Sequence, residues 1–195
     1  MHMTAREHRP QTPRASRQAN LVGALAVAVV DRLHEARADD DGRGLTATAA
    51  LNHLRLRPGQ NIDFLARLLH ISHPATVRLV NRLEAEGLIK RQPDAEDARS
   101  RALFLTPAGQ QAALAAARKR LEILNQMLSP LTAAERRQLE PVIEKLLGAL
   151  TSDRWNARHI CRLCDIPTCE TPACPVDQAI PQPGVPINAA AITPL

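Results

Sequence analysis

The chain has 195 residues, 45% of them hydrophobic and 23% charged, and a mass of 21.3 kDa. That suits one domain with appendages or two small domains, and excludes wholesale disorder. With no Tyr, two Phe (Phe64, Phe104), one Trp (Trp155) and a net charge of +5, it packs by aliphatic helices, lacks the makings of a large aromatic cage and favours a polyanionic partner.

Residues 1–17 are polar and arginine-rich, with Pro10 and Pro13, and read as a flexible basic arm. A helix follows to about Ala38, with Leu21, Leu25, Ala28, Val29 and Leu33 spaced as one buried face. Its apolar stretch, Leu21 to Val30, falls short of the ~18–20 residues of a membrane span and runs into Asp31 without a cleavage site. No membrane partner is expected, and the location is read as cytoplasmic. Asp39-Asp40-Asp41-Gly42 breaks this helix, and a second runs from Leu45 to Leu56 before Pro58-Gly59.

Two short helices come next, Ile62 to Leu69 and His73 to Glu86. Ser72 is placed as the N-cap of the second, Pro74 in its first turn and Gly87 just past its end. Val77, Val80 and Leu83 form its inward stripe, and His73, Ala75, Thr76, Arg78 and Arg82 its outward face. Residues 88–91 and 102–106 read as strands of a hairpin with a long charged tip. A long helix from about Ala108 to Leu128 carries Leu114, Leu121, Leu124 and Leu128 on one side. Thr132 to Glu135 is a capping box for a last helix to about Leu150, with Pro141 as a possible kink. The fold class is mainly α with a small β-hairpin wing: a winged helix-turn-helix, whose second short helix offers a polar face to a major groove.

The run Leu79 to Arg91, then Asp94, Asp97-Ala98-Arg99-Ser100-Arg101, then Leu105-Thr106-Pro107-Ala108-Gly109 resembles the MarR family of bacterial regulators over about residues 20–150. The resemblance implies an intertwined helical homodimer gripping a palindromic duplex operator. Together with the composition of the two ends, it divides the chain into a flexible basic arm (1–17), a helical dimerisation region (18–44 and 108–158), a winged helix-turn-helix DNA-binding domain (45–107), a cysteine-rich metal-binding loop (159–177) and a tail (178–195). By position, Arg99 at the wing tip enters the minor groove, where a planar, always-charged fork suits the negative potential. Asp97 would hold the wing arginines, and Arg101 would meet a phosphate or pair with Asp97. His73, Ala75, Thr76 and Arg78 are candidates for base edges, and Ser72, Asn81 and Arg82 for phosphates. Two of these have competing roles: Arg82 can pair with Glu86 one turn on, and His73 can cap or pack.

All four cysteines, Cys161, Cys164, Cys169 and Cys174, fall within fourteen residues with the spacing C-x2-C-x4-C-x4-C-P. Clustered thiolates repel one another unless a cation relieves them, so the pattern points to one metal centre. Pro175 after the last cysteine matches iron–sulfur loops, and a similar Cys-rich extension occurs in a subset of MarR-like proteins. An iron–sulfur cluster, 2Fe-2S or 4Fe-4S, is the leading expectation. Structural Zn2+ and a metal-free thiol switch stay open. His159 and Asp165 are read as a surface residue and a turn former that could stand in as ligands.

The function expected is a dimeric, sequence-specific DNA-binding transcriptional regulator, a repressor, whose cluster reports redox state, nitric oxide or iron supply. One alternative is a MarR-type regulator with structural zinc and a small-molecule effector. Another is a redox or electron-transfer protein. No phosphate-binding glycine loop or catalytic triad pattern is present in the sequence, so no enzyme activity is expected.

Overall fold

The computed structural model describes residues 13–38, 42–93, 101–169 and 174–180. Its first helix, α1 (Pro13–Ala38), begins inside the stretch expected to be an arm. Proline's fixed φ suits a first helical turn, so Pro13 starts this helix rather than excluding it. Within a single chain only the end of the α1 stripe is covered. Leu33 is buried, but Leu25 is 60% exposed.

Helix α2 (Leu45–Leu56) is the spine of the core, with Ala47, Ala49, Ala50, Leu51 and Leu54 all buried. Its alanines let α3 (Ile62–Leu69), α4 (His73–Ala85) and the hairpin close around Leu51 and Leu54. Asn61 caps α3 by accepting from the Phe64 amide at 2.9 Å. His70 makes the α3–α4 turn at φ 53°, and Ser72 caps α4 as expected, accepting from the Ala75 amide at 3.4 Å. Leu65, Leu68, Val80 and Leu83 complete the core. On α4 the inward stripe includes Leu79, while Val77 is only half-buried.

Strands β1 (Ile89–Pro93) and β2 (Arg101–Leu105) pair antiparallel, Ile89 opposite Leu105 and Pro93 opposite Arg101. The segment before α3 flanks β2, since the Leu103 amide donates to the Gln60 carbonyl at 2.9 Å. Helix α5 (Pro107–Leu128) is fastened to the hairpin's base. Thr106 Oγ1 accepts from the Gly109 amide at 3.0 Å and donates to the Gly87 carbonyl at 2.6 Å. Gly109 allows the close approach: a Cβ there would stand 1.9 Å from the Leu88 carbonyl oxygen.

The buried face of α5 is Gly109, Ala113 and Ala116, while of the leucine side Leu114 is exposed and Leu121, Leu124 and Leu128 are half-buried. Helix α6 (Ala133–Leu150) starts at the Thr132–Glu135 capping box and runs through Pro141 unbroken. Val142, Ile143, Leu146 and Leu150 on it are exposed. After it the chain forms α7 (Arg154–Ile160), α8 (Ile166–Cys169) and α9 (Pro175–Gln178). The described residues of the cysteine stretch thus include short helical turns. The result is a mostly helical winged-helix fold with a two-stranded hairpin. Among the described residues, no helix is long and apolar enough to cross a membrane.

Candidate functional site

Helix α4 turns one side to the core and leaves Ser72, His73, Arg78, Asn81 and Arg82 exposed. His73 Nε2 lies 3.3 Å from Asp63 on α3, so its ring is held at the start of the helix. Asn81 accepts from Arg91 of β1 at 2.6 Å, and Arg91 also pairs with Glu84. That ties the hairpin to the helix and fixes their relative angle. Arg82 stands 3.8 Å from Glu86, the competing pair expected from their spacing. Ala75 is half-buried.

Thr76 does not belong to the outward face. It is completely buried, and its hydroxyl donates to the Ser72 carbonyl at 3.0 Å. A side chain closed under its own helix reaches no base, so Thr76 is a core residue. Arg101 is exposed at the start of β2. Asp94, Asp97 and Arg99, at the wing tip, lie outside the described residues.

The second constellation is at the C-terminal end. Trp155 of α7 lies on Phe64 of α3 (ring centroids 5.0 Å), with the Arg67 guanidinium 4.0 Å over its ring. Such a contact joins apolar burial to a cation–π attraction. Phe64 in turn stacks on His53, a buried imidazole that burial, with Arg57 and Arg158 nearby, pushes down to about 4. His159 is half-buried and engaged rather than free on the surface. Its Nδ1 donates to the Leu68 carbonyl at 2.9 Å, and its ring stacks on His70 at 3.8 Å. A carbonyl partner requires the proton on Nδ1. Burial foremost, then the charges of Arg162 and His70, lowers its basicity against the effect of that carbonyl.

The Cys161-to-Asp165 turn is bonded to α2. Asn52 Nδ2 donates to the carbonyls of Cys164 (2.9 Å) and Arg162 (3.3 Å). Arg55 donates to Asn52 Oδ1 at 3.1 Å and pairs with Asp165 at 3.2 Å, so Asp165 is an ion-pair partner as well as a turn residue.

All four cysteines are free thiols within electrostatic reach of one another. The Cys161 thiol donates to Cys164, which raises the Cys161 pKa; burial and the charges of the other three cysteines add to this. The same bond, with Arg120 and Arg162 alongside, lowers Cys164 against the opposing effect of burial. Burial and then its neighbouring cysteines raise Cys169. Among the described residues, no three His, Cys, Asp or Glu side chains are gathered at ligand distance. Still, the donor set suits a metal held by four thiolates, and the two arginines offset the negative charge such a centre carries.

Known proteins show where this arrangement belongs. A sequence model of the MarR family matches residues 41–100. A probable transcriptional regulator from Pseudomonas aeruginosa is 31% identical over 64% of this chain and 96% of its own, with a TM-score of 0.51. Residues 41–100 are thus a MarR-family segment.

Two further solved structures share the fold. MepR, a transcription regulator of the Staphylococcus aureus multidrug efflux pump MepA, is 21% identical over 68% of this chain and 98% of its own (TM-score 0.61). MarR from E. coli, in its apo form, is 22% identical over 66% of this chain and 96% of its own (TM-score 0.57). No curated protein matches. About a third of this chain lies outside each of these structural matches. Sequence reasoning missed Asn52 and Arg55, whose partners lie more than a hundred residues away. The one available signal was an Asn and an Arg a turn apart on a helix otherwise rich in Ala and Leu.

Proposed function

We propose that the protein is a dimeric, sequence-specific DNA-binding transcriptional regulator, a repressor, with an iron–sulfur centre on its four cysteines that modulates DNA binding. The observation that carries the DNA reading is the exposed polar face of α4, with Arg78 and Arg82, locked at a set angle to the hairpin by the Arg91–Asn81 contact. A helix presented in this way fits a major groove while a wing reaches the neighbouring minor groove. The uncovered apolar faces of α1 and α6 support a second copy of the chain as the partner, and two readers then meet a palindromic operator. Backbone contacts fall to Ser72, Asn81, Arg82 and Arg101, base edges to His73, Ala75 and Arg78, and the minor groove to Arg99, steadied by Asp97.

Cys161, Cys164, Cys169 and Cys174 would hold the cluster, with Pro175 stiffening its exit. When bound, it supplies a group that responds to redox state, nitric oxide or iron supply.

The test is fluorescence anisotropy on a duplex that the protein selects from a random pool, across a salt series. Arg99→Ala is expected to weaken binding to every duplex and to lower the salt slope by about one. Unaltered affinity would remove Arg99 from the interface, and no selection of any duplex would end the regulator reading. Anaerobically purified protein is expected to be brown. Colourless protein holding a divalent ion would assign zinc instead.

A further inference from the structure

The two halves of the cysteine cluster are fastened to different parts of the chain. Cys161 and Cys164 bracket a turn whose carbonyls accept from Asn52, a buried side chain on α2, and whose next residue, Asp165, pairs with Arg55 on the same helix. Helix α7, just before it, is stacked on α3 through Trp155 and His159. These contacts all lie in the DNA-reading head.

Cys174 precedes α9, which lies mainly along α6 and also touches α7. Val176 is buried there, and a Cβ on Gly148 would come within 3.8 Å of the Pro175 carbonyl oxygen. Leu163, between the first two cysteines, lines a cavity of about 10 Å3 with Leu33 of α1 and Ala116 and Arg120 of α5. The C-x-x-C turn is therefore wedged where the long helices meet the head.

We infer that the cysteine centre is a tie across the head-to-arm junction: a metal that joins Cys161 and Cys164 to Cys174 locks α2, through Asn52 and Arg55, to α6. This rests on reading the four cysteines as one metal centre. The apolar face of α6 belongs to the partner contact, so the position of the head relative to α6 sets the distance between two α4 helices. A palindromic duplex accepts that distance only near one helical repeat, ~34 Å. Occupancy of the centre is thereby read out as DNA affinity, because a ligand shifts an equilibrium by its differential affinity for the two forms. Asn52 and Arg55 are positioning residues: they touch neither metal nor DNA.

The test uses the full chain, purified without oxygen, in three forms: wild type, Asn52→Ala and Arg55→Gln. Metal content is measured first. Anisotropy on the selected duplex at fixed salt and the emission maximum of Trp155, the sole tryptophan, are then recorded before and after a chelator removes the metal. Wild type is expected to change affinity at least tenfold, with a red shift as α7 loosens from α3. The variants are expected to hold the same metal but change affinity less than threefold. Should Asn52→Ala unfold, the milder Arg55→Gln carries the comparison. Wild type that holds metal yet binds equally with and without it overturns the tie and leaves the metal centre standing, as do variants that respond like wild type. Wild type without metal overturns both.

Discussion

The reading head and the long helices are built on opposite terms. In the head, Leu51, Leu54, Leu65, Leu83 and Leu103 are wholly enclosed, and capping side chains such as Asn61, Ser72 and Thr106 serve the helix ends around them. In α1 and α6 the comparable residues stand in solvent: Leu25 is 60% and Leu146 48% exposed. The head is completed by its own chain, whereas the arms present an uncovered apolar surface that the proposed dimer would bury. Stability and assembly should accordingly respond to different substitutions.

The largest effect is expected from Leu146→Glu. Two copies would bury two carboxylates, so the dimer should weaken by about a thousandfold while the helical content of the head persists. Sedimentation equilibrium measures this, and an undiminished dimer would place α6 outside the partner contact. Gly109→Ala tests the other region. With the Leu88 carbonyl 1.9 Å from the added carbon, α5 must shift off the hairpin, at a cost of about 3 kcal/mol or more, and thermal denaturation should show a lower Tm.

Acidification should act on the head as well. His53 is held neutral, its folded pKa pushed to about 4 against an ordinary 6.5. The unfolded chain binds that proton first, so stability should be lost as pH falls from 6.5 to about 4 and level off below. The loss is about 2 kcal/mol once solvent screening is allowed for, and His53→Gln should flatten that part of the pH profile. The smallest effect is Arg78→Ala, which should lower operator affinity about tenfold and leave Tm unchanged. Equal loss on all duplexes would make Arg78 a phosphate contact instead.

Much of this was legible in the sequence, because local rules govern it. Ser72, Gly87 and the Thr132–Glu135 box end or start helices by bonds within four residues. The Leu-Thr-Pro-Ala-Gly run marked the place where α5 meets the hairpin. Thr76 was misread although its spacing was plain: it stands four residues before Val80 and seven before Leu83, on the inward face, and its hydroxyl is satisfied within the helix. The leucine side of α5 was visible as a stripe, but its spacing did not show that the small Ala113 and Ala116, which let helices approach closely, take the buried side. The docking of α7 and the cysteine turn on α2 and α3 was not legible. It depends on Asn52, Arg55, Phe64 and His159 meeting partners far along the chain, and no periodicity records such meetings.

The most direct test of the account is the stoichiometry of the protein–duplex complex by sedimentation equilibrium. Two chains on each selected duplex is the predicted result. One chain per duplex, or none bound, would contradict it.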